Sequence, residues 1–100
     1  MTTPQKVAVQ DAIKGAQMFR KTNVPILGCV LNMSSFVCPS CGTKSHLGGS
    51  KASSSLLETC SIDLLADIPF QMEIGDASDE GTPIVLAKPD SPIVSLMFNF

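Results

Sequence analysis

Between Lys6 and about Arg20 the apolar side chains recur at helical spacing. Val9, Ala12, Ile13, Ala16 and Phe19 fall on one face, and Lys6, Gln10, Lys14, Gln17 and Lys21 on another, the mark of an amphipathic helix. Thr3-Pro4 predicts its start, with threonine as cap and proline at the first helical position, where a missing N–H costs little. Ala8, Ala12, Gly15 and Ala16 keep parts of its surface thin enough to pack closely on a sheet. After the break at "TNVP" the run "ILGCVLN" is apolar without alternation, as in a central parallel strand covered on both faces. A second strand is predicted at 63–68, stopped by Pro69, and a third at 83–87, stopped by "KPDSP". Ser91-Pro92 then opens a helix carrying Ile93, Val94, Leu96, Met97 and Phe98. "GGSKASSS", residues 48–55, reads as a flexible connection or a weakly started helix.

Helices alternating with short buried strands predict an α/β layered fold with a short, mainly parallel sheet. The sum looks incomplete, because a sheet this small leaves its edges unpaired and the last apolar helix runs to Phe100 without a cap.

Composition narrows the partners. With 44% apolar and 16% charged residues in 100 positions, the chain is one small domain or a piece of a larger one. A net charge of -2 and no Lys/Arg run provide no positive field for nucleic acid or anionic lipid. "VPILGCVLNM" is about half of the roughly 20 residues that a membrane helix needs. The first ten residues carry neither a secretory signal nor the Arg- and Ser-rich character of a transit peptide. Four cysteines without a signal peptide favour a reducing compartment, and with it metal or thiol chemistry over disulfides.

Cys38 and Cys41 form a C-x-x-C bent by Pro39 and Gly42, so that two thiolates can face one metal from a single turn. A closed zinc site or an iron–sulfur cluster wants four ligands, and half a set is present. Three readings stay open. His46, Cys29 or Cys60 could complete a zinc site within the chain, although Cys29 lies where a small buried thiol is the plain explanation and His46 also reads as an ordinary loop residue. "CPSC" could be a redox pair, but that chemistry wants a helix N-terminus and "GTKSHLGGSKASSS" is a weak helix former. A second copy of the chain could supply the other two thiolates across a two-fold axis, around one shared and labile cluster. Asp76, Asp79 and Glu80 lack the alternating oxygens of a calcium loop and read as a solvated turn. Met18, Phe19, Met33 and Phe36 read as core or loop anchors.

The stretch "TTPQKVAVQDAIKGAQMFRKTNVPILGCVLNMSSFVCPSCGTKSH" resembles the Mrp family of deviant P-loop ATPases that carry iron–sulfur clusters, nearest its mitochondrial NUBPL-like branch. "DLLADIPF", "DEGTPIVLAKPDSP" and the helix after them line up with the closing elements of that family. The resemblance implies a P-loop NTPase-like fold, with Cys38 and Cys41 holding a 4Fe-4S cluster bridged between two subunits. It implies that Asn32, with the chain around Pro69, contacts the adenine of ATP, an asparagine amide having the donor and acceptor that adenine's edge requires; a strand-end turn residue is the plain alternative for Asn32. It further implies an iron–sulfur carrier or assembly factor for respiratory complex I in mitochondria, or in the cytoplasm as the alternative location. Its partners would be a second copy or a full-length paralogue, and recipient iron–sulfur apoproteins.

Two departures accompany the likeness. No Gly-x-x-x-x-Gly-Lys-Ser/Thr occurs, and "CGTKS" and "GGSKASS" have the wrong order and context. The chain therefore reads as the C-terminal part of a family member, residues 1–100, without the phosphate loop, and ATP hydrolysis by it alone is not expected. The family also commonly carries an aromatic residue in a pattern like His-Ile-Phe-Gly, where this chain reads "HLGGS" from His46. A small zinc-binding interaction module or an inactive fragment is the alternative reading.

Overall fold

A computed structural model describes residues 1–47 and 51–98. In chain order these form α1 (Lys6–Lys21), β1 (Cys29–Val37), β2 (Lys44–His46), α2 (Lys51–Cys60), β3 (Leu64–Phe70), α3 (Met72–Asp79), α4 (Ile84–Ala87) and α5 (Pro92–Phe98). The sheet has the order β2-β1-β3, with β1 central as its apolar run predicts. β3 runs parallel to β1 and β2 antiparallel to it, so the sheet is mixed where a mainly parallel one was expected.

Successive β1 side chains point to opposite faces, and both faces are covered. Cys29 and Leu31 enter one core with Val9 and Ala16 of α1 and Leu56 and Cys60 of α2. Val30 packs on the other side with Ile68 of β3, Ala77 of α3, Ile84 of α4 and Ile93 and Val94 of α5. Each fully buried aliphatic side chain contributes about 1.5–3 kcal/mol, so the two clusters hold the helices to either side of the sheet. The Arg20 guanidinium also donates to the Cys60 carbonyl, which joins the end of α1 to the end of α2.

Several boundaries differ from the sequence-based expectation. α1 starts at Lys6, with Gln5 as the residue before it, because Thr2 is already committed to the sheet. Its N–H donates to the Val30 carbonyl (3.0 Å) and its carbonyl accepts from the Asn32 N–H (2.8 Å), a parallel bridge to Leu31. Phe19 and Met18 are largely exposed (42% and 53%), so neither is a core anchor.

Residues 83–87 are not a strand. The Leu86 and Ala87 amides both donate back to the Pro83 carbonyl at 2.9 Å, closing the short helix α4. Its buried Ile84 meets the core from a helical turn, a choice that four apolar residues in a row leave undecided.

β3 continues through Pro69, which was expected to stop it. It lies at the edge of the described sheet, where a residue without an N–H is tolerated. Asp76 and Asp79 lie in α3 and Glu80 caps it, so the expected acidic turn is the end of a helix. Gly81, at φ +79°, terminates it with its N–H on the Ser78 carbonyl (3.0 Å). Lys51–Cys60 is a formed helix, and residues 48–50 of the expected linker lie outside the described residues.

Candidate functional site

β1 and β2 are joined by the six residues "CPSCGT", with Val37 opposite Lys44 and Ser35 opposite His46. The ladder extends one step into this tip, where the Cys38 N–H donates to the Thr43 carbonyl (3.0 Å). The Gly42 N–H then donates to the Cys38 carbonyl at 2.8 Å, which coils residues 38–42 into a single turn. Gly42 makes the return with φ +73°, a left-handed conformation for which glycine has no side-chain penalty. The result places Cys38, half-buried, and Cys41, exposed, on one projecting turn with free thiols.

The two sulfurs are not equivalent. Hydrogen bonding from the Thr43 side chain, then from its backbone, and then from Cys38 holds the Cys41 thiol below its ordinary range. Thr43 Oγ1 lies 3.2 Å from Cys41 Sγ. Sequence pattern gave no hint of this threonine, because only the hairpin register turns it back towards the sulfur.

The other sequence-derived ligands do not gather here. Cys29 and Cys60 are buried together in the α1–α2 core, and burial, opposed more weakly by the N-terminal ammonium, pushes the Cys29 thiol up. Cys29 begins β1 and Cys38 follows its end, a separation of about 25–30 Å at the strand rise of ~3.3 Å per residue. His46 is exposed on β2. Among the described residues no group of three or more His, Cys, Asp or Glu side chains converges to hold a metal. The hairpin thus has the donor type and exposure that fit an iron–sulfur cluster, and two ligands of the four.

Asn32 and Pro69 are brought together. Asn32 is in register with Ile68, next to Pro69, and both line an open cavity of about 360 Å³ walled by Met33, Gln71, Met72 and Ile74. The Asn32 Oδ1 accepts from the Met33 N–H (3.0 Å). Met33 itself sits at φ +54°, where the strand bulges between Asn32 and Phe36. The Ser34 hydroxyl then rejoins β1 to β3 through the Asp67 carboxylate, and the Phe36 ring meets Phe70 at 6.2 Å and 56°. Asn32 is half-buried where it lines the cavity, and besides the oxygen that Met33 engages its amide carries two N–H donors. A second cavity of similar volume, about 360 Å³, lies beside the cysteine hairpin between Phe36, Val37, Pro39, Phe70, Met72 and Pro92.

A layered α/β unit with a polar amide midway along its central strand, at the start of a bulge, and two thiols on the hairpin beyond that strand, defines a nucleotide-binding type of fold that carries a cysteine hairpin. Over residues 1–100 the chain matches the family described as ParA: NUBPL iron-transfer P-loop NTPase, and it belongs to that family. It is 48% identical over 91 residues to the mouse iron-sulfur cluster transfer protein NUBPL, covering 91% of this chain and 28% of that protein. It is 44% identical over 99 residues to the Arabidopsis thaliana iron-sulfur protein required for NADH dehydrogenase, mitochondrial, covering 99% of this chain and 31% of that protein. Among solved structures, a nucleotide-binding protein from Archaeoglobus fulgidus in complex with ADP superposes with a TM-score of 0.70 at 28% identity, over 98% of this chain and 39% of that one. The chain thus spans under a third of the length of these two relatives.

Proposed function

We propose that this chain is the C-terminal portion of an iron–sulfur cluster carrier that delivers a 4Fe-4S cluster to apoproteins of respiratory complex I, in mitochondria. The observation that carries the reading is the hairpin tip, with two free thiols on one projecting turn and no third ligand beside them among the described residues. A cubane cluster takes one thiolate at each of four irons. Two copies of the hairpin related by a two-fold axis supply that number. Exposed Val37 and Phe70 beside the turn supply apolar surface for such a contact.

The cluster in this scheme is cargo. Transfer is ligand exchange: each recipient thiolate forms a bond to iron, a carrier thiolate leaves and takes up the proton released by the incoming thiol, and no electrons move. An exposed turn suits this exchange, because the incoming sulfur can reach from solvent the iron that Cys41 would hold. The Asn32–Pro69 cavity serves as the adenine end of a nucleotide site. The phosphate end is not supplied by these 100 residues, which contain no Gly-x-x-x-x-Gly-Lys-Ser/Thr, so phosphoryl transfer is not assigned to them.

Anaerobic reconstitution with iron and sulfide tests the reading. The expected product is a brown dimer holding one 4Fe-4S cluster per two chains, abolished by Cys38→Ser or Cys41→Ser. A colourless monomer with one zinc per chain would refute it.

A further inference from the structure

Thr43 holds both cysteines of the hairpin at once. Its carbonyl accepts the Cys38 N–H at 3.0 Å, and its hydroxyl lies 3.2 Å from Cys41 Sγ. Gly42, in its left-handed conformation, turns the chain so that residue 43 faces back across the turn. Among the described residues Ser40 and Lys44, the polar neighbours on the same tip, make no side-chain hydrogen bond. Of the hydroxyls on this tip, the one that reaches Cys41 is that of Thr43.

The direction of the bond depends on what the sulfur carries. A thiol donates to the threonine oxygen. Once the sulfur is an iron-bound thiolate it has no proton, and the hydroxyl becomes the donor. Hydrogen bonds to the sulfurs of a cluster, with its charge and exposure, set its reduction potential, because they stabilise the electron density that reduction adds. We propose that Thr43 is a positioning residue for the Cys41 ligand: it fixes the sulfur's direction, and through an O–H···S bond it raises the potential of the bound cluster. This inference rests on the reading of Cys38 and Cys41 as cluster ligands.

The test compares the full chain with Thr43→Val, which keeps the shape and removes the hydroxyl, and Thr43→Ser, which keeps the hydroxyl. After anaerobic reconstitution, the ratio of reduced to oxidised cluster is read at one fixed applied potential. Valine is expected to lower that ratio about fivefold, the factor matching one hydrogen bond of ordinary net strength, and serine to restore it. Pulsed EPR in H2O and D2O should show, above the backbone N–H signals common to all three, one exchangeable proton coupled to the cluster in the wild type and Thr43→Ser that is missing in Thr43→Val. Loss of the cluster in Thr43→Val with retention in Thr43→Ser also supports the role. A cluster that assembles in all three with an unchanged ratio and proton signal overturns the inference alone. A wild-type chain that assembles no cluster overturns the ligand reading and this inference with it.

Discussion

The same substitution, glycine to alanine, should act with opposite sign at two places in this chain. Gly42 holds φ +73° in the hairpin, and a Cβ added there meets nothing within 4 Å. The whole penalty is then the left-handed backbone itself, about 1–2 kcal/mol for a residue with a Cβ. Gly15 lies inside α1, and a Cβ there also meets nothing within 4 Å. Alanine at that position restricts the unfolded chain and improves helix propensity, a gain of about 0.5–1 kcal/mol. For a domain of this size, 1 kcal/mol moves the melting temperature by roughly 4–8 °C. Gly15→Ala should therefore raise it by about 2–8 °C and Gly42→Ala lower it by about 4–16 °C. Thermal unfolding by circular dichroism reads both, with urea midpoints as a check. Gly42→Asn supplies the control, since asparagine tolerates the left-handed region and should lose less than alanine. Because the Gly42 N–H closes the turn on the Cys38 carbonyl (2.8 Å), the alanine variant should also reconstitute less cluster than the asparagine variant. Shifts of the same sign for Gly15→Ala and Gly42→Ala, or equal losses for alanine and asparagine at residue 42, would refute the reasoning.

Leu56, 2% exposed between α1, β1 and α2, should cost about 2–5 kcal/mol when cut to alanine. Leu27→Ala, at 88% exposure, should stay within about 0.5 kcal/mol in the same urea titration. Iodoacetamide on the native apoprotein, followed by mass spectrometry, should label Cys41 before Cys38, because Thr43 favours the Cys41 thiolate, and should reach Cys29 and Cys60 only on unfolding. The Cys29 thiol is held above its ordinary value, so the fold favours its neutral form. That contribution is complete below the unfolded thiol value of about 8.5 and is lost as pH rises through the higher folded value. Urea midpoints should therefore fall above about pH 8.5, and Cys29→Ala should remove that part of the slope.

Periodicity located α1, β1 and most of β3, because each has one face or both faces in a core and its apolar spacing records that burial. It failed where two structures share one pattern. The "PIVLA" run is apolar either way, and only the position of Ile84 against Ile68 and Ile93 makes a helical turn the better burial. β2 is three exposed residues with no apolar alternation to reveal it, formed because the turn at Gly42 returns the chain alongside β1. α3 was missed for a related reason, since it buries Ala77 alone on a short helix.

The chain's order of residues, by itself, determined the chemistry available. It provides a C-x-x-C bent by proline and glycine, an asparagine after a buried apolar run, and no phosphate loop. Which of these groups meet was decided only in three dimensions. Parallel pairing of β1 with β3 brings Pro69 beside Asn32 across 37 positions of sequence. Burial in the α1–α2 core draws Cys29 and Cys60 away from the hairpin, and one left-handed glycine sets Thr43 against Cys41. The physical reason is that sequence spacing fixes distance only within a turn or a strand, whereas contacts between elements follow from which faces must leave water.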